Sequence, residues 1–126
     1  MNRIEGLVDA ISMFYGFHDP STDAYKLRNP ILIRSFARPG KHEIDEQGRR
    51  VFNSLISGYR SAIFDIELKV KGQSRAGLKP DDTIENLLGS IGIKGAAPIS
   101  TVVKFLRVAL SDDAISAKTP LSYFGE

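Results

Sequence analysis

Between Asp45 and Gly72 the apolar residues recur at helical spacing: Val51, Phe52, Leu55, Ile56, Tyr59, Ala62, Ile63, Ile66 and Val70. On a helical projection they fill one arc of about 140°, the width of a core-facing stripe. The charges suit the same element. Glu46 precedes Arg50 by four residues, Asp65 precedes Lys69 and Glu67 precedes Lys71. Acid first is the better order for such pairs. Glu43, Asp45 and Glu46 stand at the start and Lys69 and Lys71 at the end, complementing the helix dipole. The pattern predicts one helix from Asp45 to Lys71, about 40 Å long at its usual rise. A compact chain of this size is about 36 Å across, so the helix spans it as a central strut or as part of a dimer interface.

A second pattern overlaps the first. Phe64, Ile66, Leu68 and Val70 alternate with Asp65, Glu67, Lys69 and Lys71. Strict alternation is also the signature of a half-buried strand, which would run over 62–71 and make the fold α+β. The helix is the preferred reading. Only Gly58 interrupts the stripe, and Asp, Glu and Lys are poor strand formers. On the helix, Phe64 and Leu68 project opposite the stripe. A second helix or another subunit is then expected to cover them.

The flanking segments also read as helical. Asn2 caps a helix carrying Ile4, Leu7, Val8, Ile11, Phe14 and Tyr15, with Glu5 three residues on and Gly16 as the stop. Asp19 before Pro20 is placed to cap a short helix with Ala24, Tyr25 and Leu27. Ile31 to Phe36 fits either a short helix after Asn29-Pro30 or a strand, and Arg38-Pro39-Gly40 closes it. After a polar loop, Asp82 or Thr83 caps a helix bearing Ile84, Leu87, Leu88 and Ile91. Gly89, Gly92 and Gly95 break it. Pro98 opens another, carrying Ile99, Val102, Val103, Leu106, Ala109 and Leu110. The stretch 114–126 holds Ile115, Leu121, Tyr123 and Phe124, too apolar for an unattached tail. It is expected to pack on the domain or on a partner. The architecture that follows is all-α: a single domain over 1–126, with five or six helices around one long central helix.

Composition narrows the classes. The chain has 126 residues, enough for one domain with its own core. With 42% hydrophobic and 25% charged residues it matches ordinary soluble domains. The absence of Cys removes disulfides, thiolate metal sites and Cys nucleophiles. No apolar run reaches the length of a membrane span. Glu5 and Asp9 among the first apolar residues do not fit a signal peptide. A cytoplasmic protein without membrane association is expected. The net charge of +2 is small for a nucleic-acid binder.

Candidate chemistry is sparse. His18 lies beside Asp19 and near Asp23, and His42 beside Glu43; neither group supplies the converging ligands of a metal site. No catalytic triad or carboxylate pair stands out, so no catalytic residue, cofactor or metal is assigned. Lys94 among Gly89, Gly92 and Gly95 lacks the Ser or Thr of a P-loop. Gly92-Ile93-Lys94-Gly95 between two helices resembles the GXXG loop of KH domains, which clamps an RNA backbone. The next apolar residue, Ile99, comes one position late, and Pro98 intrudes. The two helices also admit a helix-turn-helix, with Thr101, Lys104 and Arg107 on or beside the exposed face. Basic residues gather before the long helix (Arg34, Arg38, Lys41) and after it (Lys69, Lys71, Arg75, Lys79).

Two functions emerge. The first is a protein–protein interaction or regulatory module, expected to form a homodimer through Phe64, Leu68, Tyr123 and Phe124. The second is a nucleic-acid-binding domain using Arg75, Gly92, Lys94, Gly95 and Lys104.

Overall fold

The structure, a computed structural model, describes residues 2–34 and 43–125. It is mainly helical. The first helix, α1 (Arg3–Phe14), begins where Asn2 accepts a hydrogen bond from the Glu5 amide at 2.8 Å and donates to the Glu5 carboxylate at 2.9 Å. The first bond satisfies one of the amides that a helix start leaves without partners, and the second, between the two side chains, holds the cap in place. The short α2 (Asp23–Lys26) follows, capped by Thr22. Asp19 is not its cap. Asp19 instead closes a turn by accepting from the Ser21 amide at 2.9 Å and hydroxyl at 2.8 Å, so α2 starts three residues past Pro20.

The long helix is shorter than its hydrophobic pattern predicts. It is α3 (Leu55–Val70), about 24 Å long. Residues 45–54 form a turn and an extended arm. The Asp45 carboxylate accepts from the amides of Gln47 (3.0 Å) and Arg49 (2.8 Å). Gly48 takes a positive φ of 79° between them. Such side chain–backbone bonds compete with helix and favour turns. Ser54 and Ser57 then form a capping box that starts α3. Glu46 and Arg50 therefore do not share a helix face. The Asp65–Lys69 and Glu67–Lys71 pairs do form, the second at 2.6 Å. The strand alternative over 62–71 is excluded, because this stretch is helical up to Val70.

The stretch after α2 is neither helix nor strand. Residues 29–32 turn, with Leu32 at a positive φ of 53°, and the chain then runs out to Arg34. Isolated antiparallel bridges join Arg34 to Arg49 and Ile44 to Arg50. Among the described residues no longer ladder forms. The remainder of the predicted 31–36 element, and Arg38, Lys41 and His42, lie outside the described residues.

Downstream are α4 (Ile84–Ser90), with a Thr83–Asn86 capping box, and α5 (Ala96–Leu110), which starts two residues before Pro98. A 3-10 turn (Leu121–Tyr123) ends the described chain. The C-terminal stretch serves α4. The carbonyls of Thr119 and Ala117 accept from the amides of Ile84 and Glu85, both at 3.0 Å. Leu121 and Phe124 are buried in the shared core.

The strongest helix pairings are α1 with α5 and α1 with α3, so α1 is the common partner of the two longest helices after it. The core combines Leu7, Val8 and Ile11 of α1, Ala62 and Ile66 of α3, Leu87 and Leu88 of α4, and Val102 and Leu106 of α5. Two glycines permit close approach. A Cβ on Gly6 would lie 2.5 Å from Cδ2 of Leu110, where α1 meets α5. A Cβ on Gly58 would lie 1.8 Å from the Arg28 carbonyl oxygen, where α3 meets the turn after α2. The first clash is with a flexible side chain, the second with backbone.

These contacts order the glycine variants. Gly58→Ala is expected to destabilise by about 3 kcal/mol, because backbone must move. Gly89 lies in α4 with nothing within 4 Å of a Cβ, so Gly89→Ala is expected to stabilise by about 0.5 kcal/mol. Urea unfolding followed by circular dichroism measures both. Equal effects would disprove the close approach of α3 to Arg28.

Candidate functional site

The outer face of α3 is built by residues at helical spacing of four: Ile56, Arg60 and Phe64. Ile56 and Phe64 are each 64% exposed, and Leu55 beside them is also exposed. The opposite face supplies Ala62, Ile66 and Val70 to the core. A groove of about 390 Å³ lies to each side of Arg60. One is lined by Ile33, Arg50, Ser61, Phe64, Asp65 and Leu68, with Arg60 at its edge. The other, mostly apolar, is lined by Phe17, His18, Tyr25, Leu55, Ile56 and Tyr59, again with Arg60.

Folding alone explains why the groove walls stand where they do. Asn29 is fully buried. Its side-chain amide donates to the carbonyls of Ile33 and Arg50, each at 3.0 Å, and its oxygen accepts from the Ile33 amide at 2.8 Å. The Arg50 amide donates back to the Ile33 carbonyl at 2.8 Å. Ile33 and Arg50, which line the first groove, are thus held together by one buried side chain. The Arg50 guanidinium lies 4.5 Å from the centroid of the Phe52 ring, a cation–π contact. Burial pulls Arg50 below its ordinary value, yet it stays a cation. Arg49, next to it, is engaged: it pairs with Asp45 at 2.6 Å and with Asp23 at 3.1 Å.

The floor of the second groove is also pinned. Tyr59 donates to the Asp9 carboxylate at 2.7 Å, tying α3 to α1. Burial, with Asp9 and Glu5 nearby, pushes the Tyr59 hydroxyl well above the usual phenol range, so it remains a donor. The Phe17 and His18 rings meet edge to face at 5.5 Å.

Among the described residues, Arg60, the Ser61 hydroxyl, His18 and the Tyr25 hydroxyl make no hydrogen bond or ion pair. All four line the two grooves.

The residues singled out in the sequence fall in different surroundings. Phe64 is exposed on the outer face of α3 and Leu68 is half-buried; both line the first groove. Tyr123 is half-buried inside its own chain. The Arg3 guanidinium sits 4.0 Å from its ring centroid, and its hydroxyl donates to Asp112 at 2.5 Å. That bond, with the Ala114 amide, holds the Asp112 carboxyl below its ordinary range. Phe124 is buried in the core, so it is not at a surface that a partner reaches.

The basic set is dispersed along the chain. Arg75 is exposed in the α3–α4 loop, Lys94 in the α4–α5 turn, and Lys104 midway along α5. Gly92 and Gly95 both adopt positive φ, 93° and 97°, and so shape the turn. Arg107 does not join an exposed recognition face. Its side chain donates to the Ile115 carbonyl at 2.7 Å. The KH resemblance ends at the turn, because among the described residues no strand flanks it.

Among the described residues no group of three or more His, Asp or Glu converges as metal ligands do. No described helix is long and apolar enough to cross a membrane. Comparison with known protein families, with curated proteins and with solved structures finds no match. Ile56, Arg60 and the two grooves were not singled out in the sequence as a site. The available signal was the chain of positions 56, 60 and 64 at a spacing of four.

Asn29 is the most sensitive position in the groove walls. Asn29→Ala removes three hydrogen bonds and strands buried backbone groups. It is expected to cost about 3 kcal/mol or more by urea unfolding. A loss under 1 kcal/mol would mean that Asn29 does not hold Ile33 and Arg50.

The Asp45 turn carries an acid dependence. Burial raises the Asp45 carboxyl, but the Arg49 side chain and the Arg49 and Gln47 amides outweigh it and set it below its ordinary value. A lowered carboxylate stabilises the fold above its unfolded value of about 4, and that stability is lost as pH falls through the folded value. Asp45→Asn keeps an acceptor for the amides but has no charge to lose. Thermal unfolding from pH 6 to pH 2 should fall less steeply for Asp45→Asn than for the natural chain. Parallel curves would remove Asp45 from the acid response.

Proposed function

We propose that this protein is a protein–protein interaction module that docks through the outer face of α3. The observation that carries the reading is the pairing of exposed Ile56 and Phe64 with a groove on each side of the same helix face. Single exposed apolar residues are ordinary, but contiguous apolar surface with recessed pockets is where partners bind. Anchor side chains in pockets dominate most interfaces.

A second copy of the chain is one partner for this face, and homodimerisation through Phe64 and Leu68 belongs to the same reading. Nucleic-acid binding is less favoured. Lys94 and Lys104 are exposed, but Arg107 is engaged inside the chain.

A photo-cross-linking amino acid at position 64 tests the site directly. Val108, 80% exposed on α5 and part of neither groove, supplies the control position. In the native host, irradiation is expected to yield discrete adducts from position 64 and none from position 108. An adduct at twice the 13.9 kDa chain mass would identify a second copy. Adducts equal at both positions, or absent at both, would overturn the docking face.

A further inference from the structure

Arg60 sits where the two grooves meet, one helical turn from Ile56 on one side and from Phe64 on the other. It is a guanidinium with no acid to answer it among the described residues. Asp65, the acid that lines the first groove with it, is already paired with Lys69. The first groove adds a second cation, Arg50, which is stacked on Phe52 and, among the described residues, paired with no carboxylate. The Ser61 hydroxyl, next to Arg60 on α3, also lines this groove and donates to nothing among the described residues. A docking surface of this kind is apolar at its two ends and cationic at its middle.

We infer that the partner is a peptide segment carrying a carboxylate flanked by two apolar anchors, with the carboxylate on Arg60 and one anchor in each groove. The inference rests on the α3 face being the docking site. Charge complementarity selects the segment: a guanidinium binds carboxylate through paired, charge-assisted hydrogen bonds. It also disfavours the main competitor. A two-fold contact centred on this face brings the Arg60 side chains of two copies towards one axis, where like charge opposes association. The geometry sets the spacing. Ile56 and Phe64 are eight residues apart on α3, about 12 Å along its axis. A helical segment matches this with anchors about four residues to each side of the acid. An extended segment matches it with anchors about two residues to each side.

The test is selection of a displayed library of random 16-residue peptides on the folded, full chain and on two variants. One variant is Arg60→Glu. The other carries Ile56→Asp and Phe64→Asp, both at exposed positions that leave the core intact. On the natural chain the enriched peptides are expected to share Asp or Glu between two apolar residues at one of those spacings. On Arg60→Glu the central acid should give way to Lys or Arg. Synthetic peptides should then bind by fluorescence anisotropy with an affinity that drops roughly tenfold or more on Arg60→Glu and recovers when the peptide charge is reversed. Peptides that lack a central acid yet fail on the Ile56→Asp, Phe64→Asp variant would overturn recognition by Arg60 and leave the face standing. Enrichment that is the same on all three proteins, or no enrichment on any, would overturn the face as well. Circular dichroism of each variant separates lost binding from lost fold.

Discussion

The three hydrogen bonds of the buried Asn29 side chain hold together a region that has little regular secondary structure. Residues 29–34 and 43–54 contribute only isolated bridges. Their backbone polar groups therefore need other partners, and buried groups left without partners cost more than most contacts return. Asn29 answers three of them at once. Once Ile33 and Arg50 are fastened to each other, the arm has one position against α3. The Phe52 amide donates to the Leu27 carbonyl at 2.9 Å and closes the arm on the α2 side. Gly58 lets the Arg28 carbonyl come within the space a Cβ would fill. The first groove beside α3 takes one wall from this arm, through Ile33 and Arg50.

The C-terminal stretch solves a related problem at the other end of the protein. Helix α4 is short, and its first amides point away from any preceding turn of helix. Thr83 and Asn86 cap each other, and the carbonyls of Ala117 and Thr119 take two amides of the first turn. Leu121 and Phe124 then enter the core behind them. A segment remote in sequence thus completes a local cap while it contributes apolar burial. The two effects reinforce each other, because burying the tail excludes water from the bonds it makes.

Elements whose ends are set by neighbours in sequence were legible. Asn2 with Glu5, a cap at Asp82 or Thr83, and the glycines around 92–95 mark helix limits through contacts within four residues. The start of α3 was not legible from periodicity. Val51 and Phe52 continue the apolar stripe by spacing, but Phe52 is buried from the arm, not from the helix. The competing signal was present in Asp45, Gly48 and the Ser54–Ser57 pair, all turn or cap chemistry. It was outweighed by a stripe that happens to keep its phase. The position of Phe64 and Leu68 away from the core stripe could be read from the same spacing. The burial of Phe124 and the engagement of Tyr123 with Arg3 could not, because both depend on residues more than 100 positions away or on the packing of the whole core.

Helix α3 departs from the usual distribution of side chains at two positions of its second half. Lys69 is buried and paired with Asp65, while Phe64 lies open to solvent. Both choices are costly to the isolated chain. A buried cation must be matched by an acid, and an exposed aromatic ring adds nothing to the core. Such local disagreement with folding rules is expected at functional surfaces. Val108 shows the contrast. It is more exposed than Phe64, yet lines neither groove beside α3, and a lone exposed Val needs no explanation. Phe64 lies in line with Arg60 and Ile56 beside two recesses, one walled by the arm and the other by the turn after α1 and by Tyr25 of α2. Folding accounts for the recesses, but core burial does not account for the apolar side chains left uncovered beside them.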